Sequence, residues 1–166
     1  MDDYTAALTD KLFSAAGNQW AGLETLANQA LSSGIDKYQK KDYEGAAKEF
    51  KRAFGLSPYS NFAYEATKYT AMSYQAAGQT EKAISTYKQA IKVNSTDDRL
   101  QLDLGNLFFG EKRYGDAIDA YEQAVRLYDD STNRFSLGQA YLKTGRYSDA
   151  ENQFEKIVRR GGLQSG

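Results

Sequence analysis

Apolar residues fall three and four apart along most of this chain, the spacing that gathers them on one face of an α-helix. Tyr4, Leu8 and Leu12, with Phe13 and Ala16 beside them, form the first such stripe. Gly17 reads as a helix stop and Asn18 as a restart. A longer stretch runs from about Trp20 to Lys40 and is followed by a helix over 43–56 that Ser57-Pro58 ends. The spacing then predicts helices over 61–77 and 80–93, 98–110 and 114–128, and 132–144 and 147–160. Short turns divide the members of each pair: Lys41-Asp42, Gly78, Glu111-Lys112-Arg113 and Gly145. The polar clusters Asn94–Asp98 and Asp129–Thr132 divide the pairs. Their side chains suit helix starts, where unpaired amides and the helix dipole favour an oxygen or a negative charge.

The pairs are copies of one unit. Tyr43-Glu44-Gly45-Ala46, Thr80-Glu81-Lys82-Ala83, Tyr114-Gly115-Asp116-Ala117 and Tyr147-Ser148-Asp149-Ala150 align, and their closing alanines follow one another at 37, 34 and 33 residues. Four residues after each alanine stands an aromatic: Phe50, Tyr87, Tyr121 or Phe154. Three further on stands Ala53, Ala90, Ala124 or Ile157. A period of about 34 residues with this signature denotes stacked helix-turn-helix units. Glycine in the turn permits a left-handed backbone at Gly78 and Gly145. Lys41 and Lys112 occupy that place in the first and third units, at an expected cost of about 1–2 kcal/mol each if the conformation is kept.

Composition narrows the chemistry. The chain has 166 residues, 41% of them hydrophobic and 26% charged, as in an ordered protein. Its 21 basic and 22 acidic residues leave no basic excess to neutralise phosphates, so no nucleic-acid partner is expected. Without a cysteine or a histidine it cannot form disulfides, thiolate nucleophiles, imidazole bases or Cys/His zinc sites. No cofactor or metal is expected. Asp97-Asp98 and Asp129-Asp130 read as helix starts, not catalytic acids, and no nucleophile–base pair or phosphate loop is present, so no enzymatic activity is expected. No apolar run reaches the length of a spanning helix and the acidic start carries no basic leader, so a cytoplasmic protein without direct membrane insertion is expected.

The units resemble the tetratricopeptide repeat (TPR) family. The resemblance rests on the small residues Gly34, Ala71, Gly105 and Gly138, the alanines and aromatics above, and Tyr74, Phe108 and Tyr141 on the first helices. Gly105-Asn106-Leu107-Phe108 and Leu137-Gly138-Gln139-Ala140-Tyr141 come closest to the family pattern, and the first unit is the least typical. It implies an all-α, right-handed superhelical solenoid. Residues 1–26 would form an N-terminal capping helix region, 27–60, 64–97, 98–130 and 131–160 four repeats, and 161–166 a frayed tail. Small residues would let paired helices approach, and aromatics would fill the space between one repeat and the next.

In that family the first helices line a concave groove that takes a protein segment. Carried over by position, the lining here is Leu31, Ile35 and Tyr38; Lys68, Tyr69, Met72 and Gln75; Leu102, Asp103, Asn106 and Phe109; and Phe135, Gln139 and Leu142. The family's carboxylate clamp for heat-shock chaperone tails is absent in either frame, since Leu31, Ile35 and Tyr69, or Lys68, Met72 and Asp103, stand at its positions. The implied function is a non-enzymatic adaptor or scaffold that holds a helical or extended apolar segment. In a competing reading these residues pack between neighbouring first helices. In a third, the N-terminal stripe of this copy or another fills the groove, giving a self-association module. The last helix carries Phe154, Ile157 and Val158 with a Gly-rich tail after it, so either another chain covers that face or the sequence is a piece of a longer protein; self-association is the expectation drawn from this. Tyr43, Tyr74, Tyr87, Tyr114, Tyr121, Tyr141 and Tyr147 stand at framework positions, where packing is the expected role.

Overall fold

The computed structural model describes residues 3–56 and 62–162, with the side chains of 3–20, Phe62 and Gly162 excepted. Every regular element among them is an α-helix: α1 (Asp3–Gln39), α2 (Tyr43–Leu56), α3 (Phe62–Ala76), α4 (Thr80–Val93), α5 (Asp98–Gly110), α6 (Tyr114–Leu127), α7 (Ser131–Lys143) and α8 (Tyr147–Gly162). From α2 onward the bounds follow the apolar spacing to within two residues. Two expectations fail. Gly17 does not stop a helix, since α1 runs unbroken through it. A glycine inside a helix costs only about 1 kcal/mol relative to alanine, too little to end one so long. Gly161 and Gly162 are likewise helical, not frayed. The Ser57-Pro58 stop, the side chains of Tyr4, Leu8, Leu12, Phe13 and Trp20, and residues 163–166 lie outside the described residues.

The helices gather into two compact units, residues 1–79 and 80–166. In the first, α2 packs against both α1 and α3. Its centre is Phe50, 1% exposed, beside Ala46 and Ala47. Ala30, Ala53 and Ala66 form a second cluster on which Leu31 and Phe54 rest. The buried face of α3 is built from small hydroxyl residues. Thr70 Oγ1 donates to the Ala66 carbonyl at 2.6 Å and Ser73 Oγ to that of Tyr69 at 2.7 Å, so neither is left unpaired.

In the second unit each helix packs on the next, from α4 through α8, and α5 also touches α7. Within a pair the decisive contact joins a glycine on the first helix to an aromatic ring on the second. A Cβ at Gly105 would stand 2.5 Å from the Tyr121 ring, and one at Gly138 2.6 Å from Phe154. Gly34 meets Phe50 in the same way at 2.6 Å. The ring thus fills the space inside its own repeat, a refinement of the expectation that it lies between repeats. Helix starts follow the polar clusters. Asp97 Oδ1 accepts from the Arg99 amide at 3.1 Å and Asp130 Oδ1 from the Asn133 amide at 2.7 Å.

All four turns share one geometry. Lys41, Gly78, Lys112 and Gly145 have φ of 63°, 73°, 60° and 75°. In each, the amide of the following residue reaches back five residues: Asp42 to Lys37, Gln79 to Tyr74, Arg113 to Phe108 and Arg146 to Tyr141, at 2.8–2.9 Å. This is the Schellman closure, which satisfies carbonyls the helix end would leave open. In the last two repeats the residue that closes it is an arginine. Arg113 lies 4.6 Å over Phe108 and bonds Asp116 at 2.7 Å; Arg146 lies 4.3 Å over Tyr141 and bonds Asp149 at 2.7 Å.

Two substitutions separate these effects. Gly105→Ala overpacks the Tyr121 contact and is expected to lower unfolding free energy by about 1–3 kcal/mol. Lys112→Gly relieves the left-handed strain, less the backbone entropy glycine brings, and is expected to raise it by about 0.5–1 kcal/mol. Urea unfolding followed by circular dichroism reads both.

Candidate protein-interaction surface

The expected groove residues lie on the first helix of each repeat, and the structure places them in two groups, one in each unit. In the first unit Ile35 on α1 is 44% exposed, the most open apolar side chain of its group. Tyr38 is half-buried with its ring edge-on to Tyr43 at 5.2 Å. On α3, Tyr69 stacks on Phe50 at 5.3 Å and is also half-buried. Lys68 sets its ammonium 5.9 Å from the Tyr64 ring. Met72 is half-buried and Gln75 exposed.

In the second unit α5 and α7 lie side by side. Leu102, Asp103 and Phe109 on α5 are half-buried, and Phe109 meets Tyr114 edge-on at 5.2 Å. Asn106 and Gln139 are exposed. Phe135 is 51% and Leu142 45% exposed, and Phe135 reaches the Phe154 ring at 5.9 Å. Leu31, Tyr38, Tyr69, Leu102 and Phe109 therefore share their area between packing and solvent. Ile35, Phe135 and Leu142 leave about half of theirs to solvent.

Asn106 on α5 is held from beneath. The buried Tyr121 hydroxyl donates to Asn106 Oδ1 at 2.8 Å. Burial raises the Tyr121 phenol above its ordinary value, and the charge of Asp103 adds to this. Tyr121 thus stays protonated and fixes the amide of Asn106 toward the surface. Tyr141 does the same work one repeat later. Its hydroxyl donates to Glu122 at 2.7 Å, and burial, then Glu122, push its phenol up to about 12.

One framework expectation fails. Tyr147, read as a framework residue, is 69% exposed, and Val158 is 73% exposed. With Leu142, Phe154, Glu151 and Glu155 they line an open trough of about 720 Å³ on α7 and α8. The equivalent Tyr43 and Tyr114 are half-buried.

Among the described residues no group of acidic side chains is arranged to hold a metal ion, and no helix is long and apolar enough to cross a membrane. Two family models described as tetratricopeptide repeat match residues 70–132 and 108–162. The small glutamine-rich tetratricopeptide repeat-containing protein 2 of Mycosarcoma maydis is 29% identical over 117 residues, which are 70% of this chain and 32% of that protein. This chain thus spans about a third of that relative. The photosystem I assembly protein Ycf3 of Parasynechococcus marenigrum is 26% identical over 126 residues, 76% of this chain and 72% of that one. Among solved structures, MamA superposes with a TM-score of 0.67 at 19% identity, covering 99% of this chain and 98% of its own. Pseudomonas aeruginosa pilF superposes with a TM-score of 0.64 at 23% identity, covering 83% and 62%.

The buried phenols set an alkaline limit. Both hold their protons more tightly in the folded than in the unfolded chain. Their contribution is intact below the ordinary tyrosine value of 10.0; that of Tyr141 is lost as pH climbs from there toward about 12, and that of Tyr121 at still higher pH. Tyr141→Phe is expected to cost about 0.5–1.5 kcal/mol at neutral pH. That difference from the parent should shrink above pH ~10 in urea titrations at stepped pH.

Proposed function

The chain belongs to the tetratricopeptide-repeat family, whose members are in general protein-interaction scaffolds, and from that premise we propose a non-enzymatic adaptor that holds an apolar segment of a partner protein on its first-helix faces. The observation that carries this reading is the face of α5 and α7. Apolar side chains there, Phe109, Phe135 and Leu142, are partly open to solvent beside the exposed amides of Asn106 and Gln139. Apolar anchors supply affinity when water is excluded, and a few fixed polar groups set the orientation of the guest. Ile35, Tyr38, Tyr69 and Met72 offer the first unit a comparable set. The chaperone-tail clamp has no counterpart among these side chains, so the ligand is an apolar or aromatic segment, helical or extended, rather than a carboxylate terminus. We place the protein in the cytoplasm.

A second reading keeps one observation in its favour. The single helix α1 carries 37 residues, while α2 beside it has 14. At 1.5 Å per residue α1 extends well past its packed partner, long enough to lie on a surface of this copy or another. The protein would then be a self-association module.

Affinity capture from the native source, followed by titration of the purified captured segment against the chain, separates the two. The adaptor reading expects binding that Phe109→Glu abolishes and Gln139→Arg weakens about tenfold, or about 1.4 kcal/mol. Binding indifferent to both substitutions, or no partner other than the chain itself, overturns it.

A further inference from the structure

The trough on α7 and α8 departs from the repeat pattern at one position. The residue after the recurring alanine is Ala47, Ile84 or Ile118 in the first three repeats, buried at 0%, 3% and 5% exposure. In the last repeat it is Glu151, exposed. Around it the face stays apolar, with Leu142, Tyr147, Phe154 and Val158. A purely apolar helix laid here, as α7 lies on α6, would strand the Glu151 carboxylate in a dry contact without a cation, which is costly. Whatever covers this face brings a positive charge to that point.

The face itself carries the complement. Arg159 lines the same trough two turns further along α8. Arg160 does not compete, being turned away to bond Asp129 in the α6–α7 connection at 2.5 Å. Lys156 lies on the other flank, beside Glu122 and Gln153. Glu151 and Arg159 stand symmetrically about Glu155, roughly 12 Å apart along the axis. Running the same helix in the opposite direction exchanges their places.

We propose that this face binds the same face of a second copy, α8 against α8 in antiparallel, about a two-fold axis near Phe154 and Glu155. Each Glu151 then meets Arg159 of the second copy, and the two contacts arise together because the interface is self-complementary. Each Arg159 then lies between Glu155 of its own helix, 3.2 Å away, and Glu151 of the second copy, which offsets the like charges of the two Glu155 side chains near the axis. Parallel pairing would set Glu151 on Glu151. Antiparallel pairing also opposes the helix dipoles. Phe154, Val158, Tyr147 and Leu142 supply the apolar area, a contiguous exposed patch that marks interaction surfaces. This goes beyond the adaptor reading and uses a different helix, so either can fail alone.

Sedimentation of the full chain from micromolar to near-millimolar concentration tests it. A monomer–dimer equilibrium that stops at the dimer is expected. Val158→Asp, at an exposed position, is expected to leave a monomer with an unchanged circular dichroism spectrum. Glu151→Arg and Arg159→Glu should each weaken the dimer at least about tenfold. The double substitution should restore it, since it re-creates both cross-pairs in reverse. The chain lacks cysteine, so Glu155→Cys gives a clean probe that should crosslink two copies by a disulfide. A monomer throughout, a ladder of species beyond the dimer, a dimer indifferent to Val158→Asp, or a double substitution no better than the singles would each overturn the proposal.

Discussion

An aromatic ring resting on the bare backbone of a glycine is the contact on which the rest of this molecule depends. Phe50 on Gly34, Tyr121 on Gly105 and Phe154 on Gly138 each bring a second helix within reach of the first. The alanines that follow from this approach, Ala46, Ala117 and Ala150, are all at 0% exposure. A ring this size delivers a large share of the burial energy of a short helix pair. Dense interiors then propagate the constraint, because neither partner can shift without opening a void. The shared Schellman turn works in the same direction. It fixes how each second helix leaves the first, so the ring arrives over the glycine.

The same frame positions the interaction surface. A residue on a first helix has one side held by its own pair and the other offered outward, and the neighbouring helices decide how much remains open. Phe109 and Leu142 stand at the same position in successive repeats, yet the first is half-buried and the second 45% exposed. Polar anchoring follows the same logic. Tyr121 and Tyr141 are buried as packing residues, and their hydroxyls reach out to fix Asn106 and Glu122. One side chain thereby serves both the core and the surface.

How much of this was legible in the sequence depended on the range of the cause. Helix pairs, caps and turns are set within a few residues, and they were legible. The expectation of a left-handed backbone at Lys41 and Lys112, where no glycine stands, came from aligning them with Gly78 and Gly145. Where the cause was a competition of small terms, reading failed: Gly17 carries a stop signal, but the sum of its neighbours' helical preference outweighs it. Where the cause was a distant neighbour, no local signal existed. Tyr147 has the same type and repeat position as Tyr114, yet Tyr114 is half-buried with its ring against Phe109 and Tyr147 is 69% exposed. The burial of Arg134, bonded to Asp129 at 2.5 Å and to Gln153 at 2.7 Å, was missed for the same reason.

The nearest-neighbour packing has a consequence for how the protein comes apart. In the second unit helices meet mainly the ones before and after them in sequence, so few distant segments must find one another for structure to form. Such arrays build rapidly and melt by zones instead of all at once. Amide exchange would then grade along the chain, slowest around Tyr121 and fastest where a helix has company on one side alone. For this chain a single melting temperature would describe an average over neighbouring zones, not one cooperative event.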